Sequence, residues 1–240
     1  MRIHKTLPSR EYFVILSLRT FGNFLIFSSL FFISKTFYQP VREEVRYFLD
    51  QEQNKQYVVA SAAEAPAIQK QIDLSNQKGK LAAAAQKKNI EVMVPVDPQF
   101  SIVIPKIAAN ARIIPNVDAS DKEAYLAALK EGVAHTEGTA FPGEPGHIFM
   151  FAHSTDYIWN VGTYNAVFYL LYKLEKNDEI NIFYKNQRFV YKVTGKEIID
   201  PSQVEYLTRT TDKEFLTLQT CWPPGTTLKR ILIFAERVAE

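Results

Sequence analysis

The apolar run Tyr12 to Ile33, YFVILSLRTFGNFLIFSSLFFI, sets the first limit on how this chain can fold. Its 22 residues, rising as a helix, are enough to cross a hydrocarbon core of roughly 30 Å. Arg19 lies inside the run and is expected to carry its guanidinium toward the nearer interface; Gly22 and Asn23 also interrupt it. Arg2, Lys5 and Arg10 precede the run, whereas Lys35 and Arg42 follow it together with Glu43 and Glu44. The basic excess is therefore on the N-terminal side, and the positive-inside rule directs the C-terminal part out of the cytoplasm. A cleaved signal peptide would need small residues directly after the run, and Ser34-Lys35-Thr36-Phe37 does not supply them. A buried core helix is the other alternative; the flanking charges and the length argue against it.

From Phe37 to about Val96 the texture changes to Gln, Lys, Glu and Ala. Val41 to Gln56 and Ala67 to Lys88 are rich in helix formers, the second stretch broken around Ser75 and Gly79. No apolar stripe continues through both, so this part is expected to be a solvated helical or disordered stalk. Val94-Pro95-Val96-Asp97-Pro98 stops any helix and starts the folded part.

Beyond Phe100 short strand-like runs follow one another. Ser101 to Pro105 and Ala111 to Ile114 each close on a proline. Asp118 to Ser120 offers an N-cap for a short helix over Asp121 to Glu131, with Tyr125, Leu126 and Leu129 inward. The turn Gly143-Glu-Pro-Gly146 feeds a strand over His147 to Ala152. Ala166 to Leu174 is ambiguous between helix and strand and is assigned helix. Glu179 to Tyr184 and Arg188 to Thr194 form a hairpin across Lys185-Asn-Gln187; Phe215 to Thr220 and Arg230 to Ala235 complete the series. Many short strands with only two short helices point to a mainly β fold, a closed β-barrel.

The chain holds a single cysteine, Cys221, which excludes an internal disulfide and any Cys-rich metal site. The net charge of +2, without a basic stripe interleaved with aromatics, gives no case for nucleic acid. Cys221 ends one strand-like run and Arg230 begins the next, so neighbouring strands would bring them to one barrel rim. A guanidinium there would favour a thiolate or receive an oxygen gaining negative charge. His153 ends its own run and is the candidate acid/base partner. Singly, each has a plainer reading: a packed thiol, a strand-capping His, an Arg paired with Glu236. Together, at strand ends, the three are what thiol acyl transfer requires.

These residues carry a resemblance. LTLQTC (Leu216 to Cys221) is similar to the TLxTC signature of the sortases, and Arg230 follows the cysteine at the spacing of that family's arginine. GVAHTEGTAFPGEPGHIFMFAHS (Gly132 to Ser154) resembles the stretch leading into the family's catalytic histidine; IPKI (Ile104 to Ile107) and YLLYKLEKNDEINIFY resemble further segments. The resemblance covers roughly residues 99–238. It implies an eight-stranded sortase-type barrel preceded by a transmembrane helix and a stalk, with 1–36 as tail and anchor, 37–98 as stalk and 99–240 as catalytic domain.

It further implies a cysteine transpeptidase on the outer face of the cell membrane. The thiolate of Cys221 would cleave a C-terminal sorting motif of the LPxTG kind in secreted proteins and pass the acyl group to an amine on cell wall or protein. His153 would protonate the leaving amine and Arg230 would hold the motif and the oxyanion. Thr217 and Thr220 match the signature, Thr220 helping to shape the oxyanion hole by backbone or hydroxyl. No metal or organic cofactor is implied. His147 stands where the family often carries Asn, and is expected at the opposite rim from His153. Asn177-Asp178 stands where Gly-Asp is usual. Asp97-Pro98 is an ordinary turn rather than a pilin-type lid, because Gln99 intervenes before Phe100. Two other classes compete: a membrane-tethered barrel that binds sorting-type peptides without cleaving them, and an L,D-transpeptidase, whose Ser-His-Gly-Cys context is absent.

Overall fold

A computed structural model describes residues 9–81, 89–154 and 166–238. It divides into two compact units, one up to Arg42 and one from Glu43 onward. The first is the larger part of helix α1 (Ser9–Glu52). Within it Arg10–Lys35 is long and apolar enough to cross a membrane, and none of that segment is buried in the protein. Phe13, Leu18, Phe27 and Phe31 stand exposed, a cost in water that lipid would remove.

The second unit begins with the last turns of α1 and continues through β1 (Gln56–Val59), α2 (Ala65–Leu81) and β2 (Ile90–Met93). There follow β3 (Phe100–Ile104), β4 (Ala109–Val117), α3 (Lys122–Glu131), β5 (Val133–Thr136), β6 (His147–Phe151), β7 (Glu179–Tyr184), β8 (Gln187–Ile199), β9 (Phe215–Trp222) and β10 (Lys229–Arg237). The eight strands β3 to β10 close into a barrel in the order β10-β8-β7-β3-β4-β5-β6-β9. Closure leaves no open edge for another chain to pair with. Residues alternate across each strand, so Ile148 and Met150 of β6, Leu216 and Leu218 of β9, and Ile231, Ile233 and Ala235 of β10 fill the interior.

Local chemistry sets the connections. Lys185 and Asn186, both at positive φ, make the two-residue turn that the strand twist of hairpin β7–β8 favours. Asp121 caps α3 by accepting from the backbone N–H groups of Glu123 and Ala124. The cap is thus Asp121 itself, not the Asp118–Ser120 stretch expected, because the Asp118 carboxylate is already held by Ser120. Gly132 carries the chain from α3 into β5 so close to β4 that a Cβ would meet the Arg112 carbonyl oxygen at 2.2 Å.

Three further expectations change. β4 does not stop at Pro115 but runs to Val117; the β4–β5 register shifts between Ile114 and Val117, and that irregularity absorbs the missing donor. Ala166 to Leu174 is not an α-helix: turns lead into a single 3-10 turn over Leu171–Lys173. Phe168, Leu170, Leu171 and Leu174 are buried in the barrel core, whereas Val167, Tyr169, Tyr172 and Lys173 are half-buried, so the segment packs across one barrel end as a plug. The stretch read as spacer holds two strands that were not expected, β1 and β2, paired in parallel. Val59 and Met93 pack on Val103 and Phe183 of the barrel. Helix formation in the two Lys/Gln/Ala-rich stretches is found, α1 reaching Glu52 and α2 Leu81; the part from 82 to 88 lies outside the described residues.

The end of α1 also rests on the barrel. Arg46 donates to the Ile107 carbonyl at 2.9 Å and pairs with Glu43 at 2.7 Å. Glu44 accepts from the Tyr172 hydroxyl and pairs with Lys173 at 3.2 Å, and Tyr47 packs against the core.

Candidate active site

Register brings the three candidate residues to one row. β9 and β10 run antiparallel with Arg230 opposite Cys221. β6 runs parallel to β9 with Phe151 opposite Gln219, and the Ala152 N–H, donating to Gln219, carries the ladder one residue on. The same register puts His153 in line with Cys221, giving the row His153, Cys221, Arg230 across three adjacent strands.

Alternation puts them on one face. Leu216 and Leu218 point inward, so Thr220 does too, and Cys221 belongs to the outward set with Thr217 and Gln219. Arg230 precedes the inward Ile231, and His153 continues the outward set of β6 after Phe149 and Phe151. The floor of this outer face is apolar: Phe149, Ile199 and Leu232 are buried beneath Tyr206 and Leu207 of the β8–β9 connection.

Cys221 is partly buried. Burial pushes its thiol pKa up, and the Arg230 cation pulls the other way. Arg230 donates to the Thr227 and Lys229 carbonyls at 3.2 and 3.1 Å, which orients it at the mouth of the β9–β10 loop. The His153 carbonyl accepts from the Phe168 N–H at 3.3 Å, tying the histidine to the barrel plug. Trp222, next after the cysteine, packs on Tyr172 of that plug with ring centroids 5.1 Å apart.

The two threonines have other partners. The Thr220 hydroxyl donates inward to the Ala152 carbonyl at 2.8 Å, fixing the residue before His153 to the residue before Cys221. Thr217 shares a buried 2.8 Å hydrogen bond with His147 Nε2. His147 sits at the start of β6 opposite Phe215, and the parallel run to Cys221 makes that about 20 Å from the thiol row at roughly 3.3 Å per residue. It lies at the far rim, as expected. Burial holds its pKa down to about 4, and Arg209 adds to the effect.

Among the described residues no group of His, Cys, Asp and Glu is arranged to hold a metal ion. Sequence reasoning missed Tyr172, Glu44 and Arg46, which come from elsewhere in the chain to the barrel end that carries the candidate residues. No local motif marks them, and only the tertiary packing brings them there.

With this geometry, residues 102–238 match the sortase domain family model. Sortase D of Bacillus subtilis (strain 168) is 30% identical over 158 residues, 64% of this chain and 71% of that protein. The crystal structure of sortase C-1 from Actinomyces oris superposes with a TM-score of 0.50 at 28% identity, covering 60% of this chain and 75% of that one. The Group B Streptococcus pilus island 1 sortase C2 shares the fold, with a TM-score of 0.50 at 24% identity over 60% of this chain and 76% of that one.

Proposed function

The chain belongs to the sortase family of transpeptidases, and on that premise we propose that Cys221, His153 and Arg230 cleave a C-terminal sorting motif of the LPxTG kind and transfer the acyl group to an amine. The observation that carries this reading is the row His153–Cys221–Arg230 on one outer face of β6, β9 and β10. Burial keeps Cys221 protonated near neutral pH, so its proton passes to His153 as Sγ attacks the scissile carbonyl carbon. The C–N bond then breaks, and His153 returns the proton to the leaving amine. Arg230 receives the carbonyl oxygen as it gains charge. An incoming amine, or water, displaces Sγ and restores the thiol.

Thr220 serves as a positioning residue, through its bond to the Ala152 carbonyl, and its backbone is offered to the oxyanion. Thr217 supports the floor of the groove by way of His147 rather than touching substrate with its hydroxyl. Val204 of the β8–β9 connection and Leu228 of the β9–β10 loop stand exposed, apolar side chains suited to the apolar part of a sorting motif. Specificity is assigned to the β8–β9 connection, Ile199 to Lys213. Residues 1–36 serve as cytoplasmic tail and single-pass anchor and 37–98 as the connection, part of it lying on the barrel; 99–240 act outside the cell membrane. Secreted proteins with a sorting signal, and an amine on cell wall or protein, are the partners.

The test is to incubate the chain with sorting-motif peptides and an amine and follow peptide cleavage and amide formation. Both are expected with the parent chain and neither with Cys221→Ala; cleavage that survives Cys221→Ala would refute the assignment.

A further inference from the structure

The last turns of α1 hold the barrel plug, and the plug touches both strand ends that carry the candidate residues. Phe168 donates its N–H to the His153 carbonyl at 3.3 Å. Tyr172, further along the plug, packs its ring on Trp222, the neighbour of Cys221, with centroids 5.1 Å apart. Trp222 and Lys229 form the last pair of the β9–β10 ladder, one step beyond Cys221 and Arg230. Strand ends fray, so whatever fixes Trp222 also fixes the thiol beside it.

The main chain of the plug is set from the barrel side. Lys196 of β8 donates to the Tyr172 and Leu174 carbonyls at 2.8 and 3.0 Å, and Phe168, Leu171 and Leu174 are buried in the core. The half-buried Tyr172 ring is oriented from α1 instead, because its hydroxyl donates to the Glu44 carboxylate. A phenol donating to a carboxylate makes a charge-assisted bond, stronger than a neutral one. Lys173 pairs with the same carboxylate at 3.2 Å and lies over the rings of Tyr47 and Tyr172, 5.2 and 4.9 Å from their centroids. Arg46, bonded to Glu43 and to the Ile107 carbonyl, seats this part of α1 on the barrel.

We propose that Glu44 is a positioning residue for the thiol: by orienting the Tyr172 ring it clamps Trp222 and keeps the end of β9 from fraying at Cys221. The proposal rests on the thiol-transfer reading above and assigns it a residue from outside the barrel. α1 is one continuous helix from Ser9 to Glu52, so the helix that holds the apolar segment also supplies this clamp. A stretch that reads in sequence as a spacer is then part of the catalytic unit. The hydrogen bond carries the effect rather than the ion pair, since a largely solvated pair such as Lys173–Glu44 is worth little.

The test uses the full chain in detergent with Trp159→Phe as background, which leaves Trp222 as its one tryptophan. Acrylamide quenching of Trp222 fluorescence is expected to rise by about twofold or more in Glu44→Ala and in Tyr172→Phe, which keeps the ring and loses the hydroxyl. Glu44→Gln keeps an acceptor for that hydroxyl and is expected to match the parent. With sorting-motif peptides, Glu44→Ala and Tyr172→Phe are expected to lower kcat by about tenfold with little change in KM, as for a reacting group moved slightly out of line. Unchanged quenching overturns the proposal. So does a lower thermal midpoint with kcat unchanged in an active parent, which a merely structural role would give, or a Glu44→Gln variant that behaves like Glu44→Ala. If quenching follows the expected pattern but the parent forms no acyl-enzyme, the thiol-transfer reading fails and the clamp on Trp222 stands.

Discussion

At the scale of single residues, opposing influences on Cys221 make its titration informative. Burial raises its pKa and Arg230 lowers it, so Arg230→Ala is expected to move the pH profile of iodoacetamide alkylation to higher pH. An unshifted profile would mean that the guanidinium does not sense the thiolate. Arg230→Lys keeps the charge but loses the planar fork, and is expected to lower kcat/KM for peptide cleavage by about a hundredfold through oxyanion support. Thr220→Val removes the bond to the Ala152 carbonyl and leaves that buried oxygen without its hydroxyl, a loss of about 1–3 kcal/mol read from chemical denaturation. It is expected to lower kcat more than it raises KM, because it displaces His153 relative to Cys221; an equal change in both would assign Thr220 a merely structural role. Cys221 and Arg230 were legible in the sequence because a lone cysteine and an arginine bracket one strand–loop–strand unit. The inward turn of the Thr220 hydroxyl was not, since it follows from which face of β9 meets the core.

At the scale of elements, β6 and β9 are joined at both ends, by Thr220–Ala152 near the thiol and by His147–Thr217 at the far rim. The far joint is pH-sensitive. The folded-state pKa of His147 is about 4, below its ordinary 6.5, so the unfolded chain takes up the proton first as the pH falls. Stability contributed by the neutral imidazole is therefore complete above about pH 6.5 and lost progressively down to about 4, a loss on the order of 3 kcal/mol. His135, buried in β5 and also shifted down, adds in the same direction. His147→Asn is expected to flatten the fall in thermal midpoint over this range; an unchanged slope would contradict the account. The long alternating strands β7, β8 and β10 were readable as strands from their period. The four-residue β5 was not, because VAHT offers too short a window and all four residues are buried. The plug at Ala166 to Leu174 misled for another reason: its apolar residues fit no single helical or strand period, so the run is ambiguous in sequence.

At the scale of the whole molecule, a chain with one exposable thiol reports its own topology. A membrane-impermeant maleimide on intact cells is expected to label Cys221 without permeabilisation; labelling only after permeabilisation would reverse the orientation assigned from the basic residues before Tyr12. The barrel class was legible because seven short strand-like runs follow one another after residue 99. The seating of β1, β2 and the end of α1 on that barrel was not, because a handful of side chains — Tyr47, Val59, Met93 — carry it within an otherwise polar stretch. The central claim is that this assembly performs thiol acyl transfer, and intact-protein mass spectrometry tests it most directly. The full chain, mixed with a panel of sorting-motif peptides and quenched in acid, is expected to gain the mass of the cleaved acyl fragment on Cys221, reversibly by hydroxylamine and not in Cys221→Ala. Peptide cleavage without any such adduct, or an adduct on a residue other than Cys221, would contradict it.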